Sequence, residues 1–253
     1  MRQAEVILET KSLTKAFGAL LAVTKADIEV LEGEFLAIIG PNGAGKTTLF
    51  NLISGALKPT SGEILFRGEA VSGLAQYEIC QRGISRTFQI TQIFPQLTVL
   101  ENVRLSSQFK TRGKRRILGG KETLRETERK SEEMLRFFNL SDKAGDLAHS
   151  LSHGDQRLLE LSMALVQEPE LVLLDEPTAG LSVDETHQAV EFLKRISLEK
   201  EKTIVLVEHD MDVVFNLAHR IVVLNFGQII AKGDREYIRN HRQVQEAYLG
   251  GLE

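Results

Sequence analysis

The sequence predicts an α/β fold with a largely parallel sheet, and three observations lead to this prediction. Short runs rich in β-branched residues alternate with longer helical patterns, as in parallel strands joined by crossover helices. The first strand-like runs lie close together with glycine-containing turns between them, which favours an antiparallel edge on the sheet. Strand signals stop across about residues 91–159, which predicts an inserted helical lobe. Because no repeat or linker divides the chain, we expect one domain with a core of about residues 1–90 and 160–253.

The elements follow from the apolar patterns in order along the chain. Strands are expected at Val6–Glu9, Ile28–Leu31, Phe35–Ile39, Glu63–Phe66, Ile84–Phe88, Leu171–Leu174, Thr203–Val207 and Ile221–Leu224. Helices are expected after Gly45, across about Lys121–Asn139, after Leu151, after Val183, after Asp210 and near the C-terminus.

Composition excludes several classes of protein. The 253 residues are 42% hydrophobic and 26% charged, which excludes disorder as the main state. Cys80 is the only cysteine, so the chain is not a disulfide scaffold. A net charge of -4 gives no general attraction to nucleic acid. No apolar run reaches the roughly 18–20 residues that cross a bilayer, and the N-terminus resembles no signal or transit peptide, so a soluble intracellular protein is expected.

Residues 40–47 (Gly-Pro-Asn-Gly-Ala-Gly-Lys-Thr), called the phosphate loop below, fit the pattern G-x-x-x-x-G-K-[ST]. The loop follows the apolar strand Phe35–Ile39 and precedes a helical run at residues 48–53, which is the context that the motif requires. Glycines let backbone N–H groups curl around phosphates, and the positive end of the helix adds to the attraction. Lys46 is expected to reach the β- and γ-phosphates, and the Thr47 hydroxyl to bind Mg²⁺. Asn42, Gly43, Ala44, Gly45 and Thr48 are also expected to bind the nucleotide.

A second acidic element belongs with the phosphate loop. The apolar run Leu171–Leu174 ends in Asp175 and Glu176. Because ligands gather at the carboxyl ends of parallel strands, both carboxylates should emerge beside the phosphates. Asp175 is the expected Mg²⁺ partner, and Glu176 can accept a proton from an attacking water.

Further motifs resemble those of ABC-type ATPase subunits, and the resemblance covers essentially the whole chain. Residues 151–155 (Leu-Ser-His-Gly-Asp), called the signature motif below, are similar to the family's LSGGQ sequence. Phe88-Gln89 resembles the Q-loop, Glu208-His209-Asp210 the switch histidine, and Phe17 the aromatic residue that stacks on adenine. The resemblance implies a P-loop NTPase core, RecA-like, with an antiparallel β subdomain and an inserted helical lobe.

The resemblance also implies roles for these residues. Phe17 would stack on adenine, and Val23 joins the nucleotide-binding set. Gln89, with a donor and an acceptor, would touch Mg²⁺ or the lytic water and sense the γ-phosphate. His209 would hydrogen-bond the γ-phosphate and help to position water against Glu176.

The signature motif implies two copies of the ATPase. Ser152 and the N–H groups around Gly154 would face the γ-phosphate of ATP held by another subunit, so that ATP lies between two head-to-tail chains. Three positions depart from the family pattern, because His153 replaces a glycine, Asp155 a glutamine, and Ser182 the aspartate of the D-loop. The anion site should survive, since the serine and the second glycine are retained.

Arg86-Thr87-Phe88-Gln89, the run 151–160 (LSHGDQRLLE), residues 208–211 (EHDM) and the C-terminal residues 244–250 are similar to ATPase subunits of branched-chain amino acid importers. Urea-type importers and the lipopolysaccharide-type exporter share much of this pattern, so both stay open. A soluble ABC ATPase acting on nucleic acid or ribosomes is less favoured, because such proteins usually have two ATPase domains or a long coiled coil. A plain P-loop kinase or GTPase is also less favoured, because it lacks the signature motif and the switch histidine.

The resemblance implies partners that the chain itself does not contain. They are transmembrane permease subunits, a second ATPase subunit (identical or paralogous) and, indirectly, a substrate-binding protein; nucleic acid is not expected. ATP and Mg²⁺ are the implied cofactors. The expected location is the cytoplasmic face of the cell membrane, reached through the permease subunits.

A basic stretch at residues 110–136 has ten Lys/Arg against five Glu, about +5 locally. A solvated loop followed by a charged helix face is the favoured interpretation. Contact with anionic lipid headgroups or an acidic partner is the second interpretation. Nucleic-acid binding is less favoured, because no aromatic residues are interleaved to stack on bases.

Overall fold

A computed structural model of the chain describes residues 5–87, 93–108, 120–199 and 201–249. Within these residues, ten strands form the framework of the fold. In chain order these strands are β1 (Val6–Phe17), β2 (Leu20–Leu31), β3 (Phe35–Ile39), β4 (Ser61–Phe66), β5 (Glu69–Ala70), β6 (Ile84–Arg86), β7 (Leu171–Asp175), β8 (Thr203–Val207), β9 (Arg220–Asn225) and β10 (Gln228–Gly233). The predicted strand Ile84–Phe88 ends earlier, at Arg86, and Phe88 lies outside the described residues.

The early strands form an antiparallel sheet of their own, with the order β2-β1-β4-β5. A two-residue turn joins β1 to β2, where Gly18 has a φ of 60° and Phe17 pairs with Leu20. Such turns need positive φ, which glycine adopts without a Cβ clash. The antiparallel pairing is therefore confirmed, but the expectation that these strands edge the parallel sheet is wrong, because among the described residues they belong to a separate sheet.

The second sheet has the order β10-β9-β3-β8-β7-β6, and its strands are parallel except for β10, which pairs antiparallel with β9. Every residue of β3, β7 and β8 is buried. Continuous apolar runs of this kind are typical of parallel strands that are covered on both faces. The arrangement brings the carboxyl ends of β3, β7 and β8 to the same edge of the sheet, where a ligand is expected.

Nine α-helices lie within the described residues. They are α1 (Lys46–Ile53), α2 (Gln76–Arg82), α3 (Val99–Ser107), α4 (Gly120–Phe137), α5 (His153–Leu165), α6 (Val183–Glu199), α7 (Met211–Leu217), α8 (Arg235–Asn240) and α9 (Arg242–Leu249). The helices predicted in these regions are confirmed, whereas α2 and α3 were not predicted. Both are short, and the capping box that begins α3, between Thr98 and Glu101, is a weak signal without a longer apolar pattern.

Three clusters of buried side chains hold these elements together. One joins the two sheets and includes Leu36, Ile38 and Phe50. A second packs α3, α4, α5 and α6 against the parallel sheet around Phe138, which is fully buried. A third covers β9 and β10 with α7, α8 and α9. Of the helices that the structure describes, none is long and apolar enough to pass through a lipid bilayer.

The described part of the basic stretch is the charged helix α4. Two ion pairs run along the helix, Arg129 with Glu133 at 2.6 Å, both exposed, and the partly buried Lys130 with Glu126 at 3.7 Å. Residues 109–119, which carry five of the ten basic side chains, lie outside the described residues.

Candidate active site

The phosphate loop connects β3 to α1 through backbone conformations that require glycine. Gly40 has a φ of 154° and Gly45 a φ of 102°. A Cβ on Gly40 would lie 2.2 Å from the carbonyl oxygen of Leu224, and one on Gly45 would lie 2.3 Å from that of Ala22. The loop is therefore fixed between the end of β9 and the antiparallel sheet, and no larger residue fits at either position.

Lys46 points back into the loop that precedes it. Its ammonium group donates hydrogen bonds to the carbonyl oxygens of Gly40 at 2.7 Å and Pro41 at 3.1 Å. Burial lowers the pKa of Lys46, and the nearby carboxylates of Glu176 and Asp175 act in the opposite direction. A cation is thus held beside two anions at the carboxyl edge of the parallel sheet.

The other predicted residues of the loop differ in their exposure. Asn42, Gly43 and Thr47 are exposed, while the Ala44 side chain is buried and Thr48 is partly buried. The loop therefore leaves Asn42, Gly43 and Thr47 accessible to solvent.

Asp175 ends β7 and is almost fully buried, with 1% of its surface exposed. Its Oδ2 accepts a hydrogen bond from Nη2 of Arg86 at 2.8 Å, and Nη1 of Arg86 donates to Asn51 on α1 at 2.6 Å and to Ser54, the C-cap of α1, at 2.9 Å. Oδ1 of Asp175 is buried without a hydrogen-bond partner among the described residues. Arg86 thus ties the acidic strand to the helix that begins at Lys46, a role that its sequence position did not predict.

Glu176 and His209 approach each other from adjacent strands. Nδ1 of His209 lies 3.7 Å from Oε1 of Glu176, and both side chains are accessible, His209 the more so. Glu176 has a φ of 48°, and its N–H donates to the carbonyl oxygen of Val207 at 2.9 Å. The 3.7 Å separation of His209 and Glu176 is short enough for both side chains to contact one water molecule.

Two buried side chains hold the turn that carries Glu176, and sequence reasoning did not identify either. Residues 175–178 are called the acidic turn below. Arg157, on α5, donates to three of its carbonyl oxygens. Glu208, fully buried, accepts hydrogen bonds from the N–H of Thr178 at 3.2 Å and of His209 at 2.9 Å, and also from the Thr178 hydroxyl. The turn and the switch histidine therefore share one carboxylate.

The signature motif begins α5. Ser152 is the N-cap, since its Oγ accepts from the N–H of Asp155 at 3.1 Å, and its hydroxyl donates to Oδ2 of Asp155 at 2.9 Å. Lys143 pairs with the same carboxylate at 2.5 Å. The N–H of Gly154 donates to Oε1 of Glu185 at 3.2 Å. Within the described residues, none of these hydrogen bonds reaches the phosphate loop of the same chain.

The three remaining predicted residues are Phe17, Val23 and Gln89. Phe17, at the end of β1, is 47% exposed, and the Lys15 ammonium lies 5.1 Å from the centre of its ring. Val23 is fully buried in the cluster that joins the two sheets. Gln89 lies outside the described residues. Phe17 is thus the exposed aromatic face available near the start of the chain.

A glycine-rich loop after a buried parallel strand, a lysine at the start of the next helix and an acidic pair on a neighbouring strand together define a P-loop NTPase. Comparison with known proteins then specifies which kind.

The ABC transporter family matches residues 23–179. The high-affinity branched-chain amino acid transport ATP-binding protein LivG of Escherichia coli (strain K12) is 38% identical over 252 residues, which cover 98% of this chain and 99% of LivG. The crystal structure of the ADP conformation of MJ1267, an ATP-binding cassette of an ABC transporter, has a TM-score of 0.85 at 31% identity and covers 97% of this chain and 99% of that chain. The dimeric post-hydrolysis state of the cassette MJ0796, bound to ADP and Pi, has a TM-score of 0.77 at 30% identity, with 90% and 98% covered.

The chain belongs to the ABC transporter family. The similarity extends over nearly its full length in both sequence and structure, so the expectation of an ABC-type ATPase with a P-loop NTPase fold is confirmed. The chain is an ATP-binding subunit that hydrolyses ATP. A plain P-loop kinase or GTPase is excluded.

Proposed function

We propose that this ATPase drives the import of branched-chain amino acids. The observation that carries the proposal is the 38% identity to LivG, a branched-chain amino acid transport protein, over 98% of this chain. The ATPase itself does not touch the transported molecule. Specificity would come from its partners, which are transmembrane permease subunits and, indirectly, a substrate-binding protein.

The working unit in this proposal contains two ATPase subunits arranged head to tail. The second subunit is an identical chain or a paralogue. Ser152 and Gly154 of one subunit would bind the γ-phosphate of ATP that the other holds on its phosphate loop. The dimeric structure of the similar cassette MJ0796, bound to ADP and Pi, supports a working unit of two ATPase subunits. Each chain would be one domain at the cytoplasmic face of the membrane, with residues of about 91–159 as its helical lobe.

The nucleotide would be held at two points of each chain. Phe17 would stack on adenine through its exposed ring. The loop N–H groups and Lys46 would bind the phosphates, and Lys46 would exchange its two loop carbonyls for phosphate oxygens. Val23 would support β2 from the core, because its side chain is fully buried.

The residues beside the phosphates fit a divalent cation. Mg²⁺ prefers oxygen ligands and usually keeps several waters, with one or two carboxylates. Oδ1 of Asp175 is a buried carboxylate oxygen without a hydrogen-bond partner in the described chain, which is the kind of atom that a hydrated cation satisfies. Thr47 and Gln89 would complete the protein ligands. When bound, the cation would neutralise charge on the β- and γ-phosphates.

Glu176 would act as the general base. Its carboxylate is partly accessible, directly follows the buried strand β7 and lies 3.7 Å from Nδ1 of His209. A water molecule between this carboxylate and the γ-phosphate would give up a proton to Glu176 as its oxygen attacks phosphorus, and the bond from that phosphorus to the β–γ bridging oxygen would break to release ADP. His209 would hold the same water and the γ-phosphate by hydrogen bonds.

Reconstitution tests the transported molecule directly. The chain would be assembled with permease subunits encoded in the same genome and a matching binding protein in lipid vesicles, with ATP on the side of the ATPase. We expect leucine, isoleucine or valine to stimulate ATP hydrolysis and to accumulate in the compartment that holds the ATP. Stimulation by urea or by lipopolysaccharide instead would assign the chain to the urea-type importers or the lipopolysaccharide-type exporter.

A further inference from the structure

Arg157 contacts the backbone of the acidic turn through one guanidinium group. Its Nη2 donates to the carbonyl oxygens of Asp175 at 3.0 Å and Glu176 at 2.7 Å, and its Nε donates to that of Pro177 at 3.0 Å. The side chain is 6% exposed, and Nη1 is paired with Oε2 of Glu160 at 2.5 Å. The planar, rigid fork of arginine can make such a set of contacts, whereas a single lysine ammonium cannot.

These contacts hold a backbone that would otherwise relax. Glu176 has a φ of 48°, which L-residues adopt when the surrounding structure enforces it. On one side the N–H of Glu176 is bonded to Val207 of β8. On the other side Arg157 binds the carbonyls before, at and after the bend. The direction of the Glu176 carboxylate therefore depends on the position of the Arg157 guanidinium group.

Arg157 lies on α5, the helix that begins in the signature motif. It follows Gly154 by three residues, so that the two lie about one turn apart on α5. A shift or rotation of the start of α5 would move the guanidinium, and the guanidinium would move the carbonyl of Glu176. One rigid helical turn thus connects the anion site of the signature motif to the acidic turn of the same chain.

We propose that Arg157 is a positioning residue that fixes the orientation of the Glu176 carboxylate. Because Arg157 lies on α5, this orientation would depend on the position of α5 relative to the acidic turn. The inference rests on the proposed function, in which the signature motif of one chain binds ATP held by the other. ATP bound at the partner's phosphate loop would then be sensed at this chain's own Glu176. The two ATP sites of the dimer would be coupled through each Arg157.

Arg157→Lys tests the inference, because lysine keeps the charge for Glu160 but cannot bind three carbonyls. In the full-length chain, kcat for ATP hydrolysis should fall by about 10²-fold, as misplaced catalytic groups typically cause. The KM for ATP should change by no more than about twofold, because the phosphate loop is untouched. Arg129→Lys is the matched control, since Arg129 makes an exposed ion pair with Glu133 on α4 and should behave as the wild type.

A double-mutant cycle separates positioning from general damage. If Arg157 acts through Glu176, Arg157→Lys should have little further effect in a Glu176→Gln chain. A loss of the same size in both backgrounds, or a wild-type kcat in Arg157→Lys, overturns the inference. If thermal unfolding shows that Arg157→Lys does not fold, the pair Arg157→Gln with Glu160→Gln removes both buried charges and is judged by the same cycle. Normal turnover in Glu176→Gln alone would instead overturn the proposed base.

Discussion

The backbone N–H of Gly154 donates a hydrogen bond to Oε1 of Glu185, at 3.2 Å. The other carboxylate oxygen of Glu185 accepts from the N–H and the hydroxyl of Ser182, at 2.9 and 2.8 Å. These bonds from Ser182, together with the one from Gly154, hold the pKa of Glu185 below its ordinary value. The ionised Glu185 carboxylate thus occupies the N–H of Gly154. In the proposed dimer, this N–H faces the γ-phosphate of the partner's ATP.

Glu185→Gln is expected to favour the ATP-bound dimer. Glutamine can keep the capping box with Ser182 at the start of α6, but it no longer presents a negative charge to a triphosphate. In a Glu176→Gln background, dimers should form at an ATP concentration lower by up to about tenfold. Sedimentation over an ATP series measures this. Glu191→Gln, on the same helix and paired only at the surface with Lys194, is the control. An unchanged or higher ATP requirement in Glu185→Gln would contradict the competition.

Glu176→Gln is expected to bind ATP and hydrolyse it slowly. The amide cannot accept the proton of the attacking water, so turnover should fall by about 10²–10⁴-fold, the usual contribution of a positioned base. Steady-state hydrolysis and gel filtration with ATP would show a slow enzyme that accumulates as a dimer. Near-normal turnover would contradict the assignment of Glu176 as the general base.

The sequence predicts the framework of this site better than its supports. The strand Leu171–Asp175 and the phosphate loop are local patterns, and local patterns are sufficient to place Lys46 and Glu176 at one edge of the sheet. Arg157 and Glu208 were not predicted as supports, because their partners lie 20 and 30 residues away. A buried arginine on a helix and a buried glutamate at the end of a strand have no sequence pattern that reveals which backbone they bind.

The sequence also did not predict the position of the antiparallel strands relative to the parallel sheet. Short strands with glycine turns indicate hairpins, but they do not state which sheet the hairpins join. The parallel sheet already has β10 on one edge and β6 on the other, so β1 and β2 pack across it through a shared apolar cluster. Val23 belongs to that cluster, which explains why a residue assigned to the nucleotide has no accessible side chain.

ATP affinity is expected to fall at alkaline pH because of Lys46. Burial lowers the pKa of this ammonium below the ordinary lysine value of 10.5. As the pH rises through the lowered pKa, Lys46 becomes neutral and holds the phosphates less well, earlier than an exposed lysine would. Calorimetric titration of ATP across that pH range measures the decline. Lys46→Ala should bind ATP weakly at every pH without this decline; a parallel decline in both proteins would assign it to another group.

Arg86→Met is expected to destabilise the chain strongly. Arg86 and Asp175 form a buried ion pair at 2.8 Å, with 7% and 2% of their side chains exposed. Removing one partner of a buried pair leaves an uncompensated charge, which typically costs about 3–5 kcal/mol in the free energy of unfolding. Urea unfolding measures the loss.

The double variant Arg86→Met with Asp175→Asn separates the charge from the packing. It should recover part of that loss, because the stranded carboxylate is gone even though Asn51 and Ser54 still lack their arginine. Arg129→Met removes an exposed pair of the same type and should cost no more than about 1 kcal/mol. Equal losses in Arg86→Met and Arg129→Met, or a double variant less stable than Arg86→Met, would show that the Arg86–Asp175 pair does not hold β7 against α1.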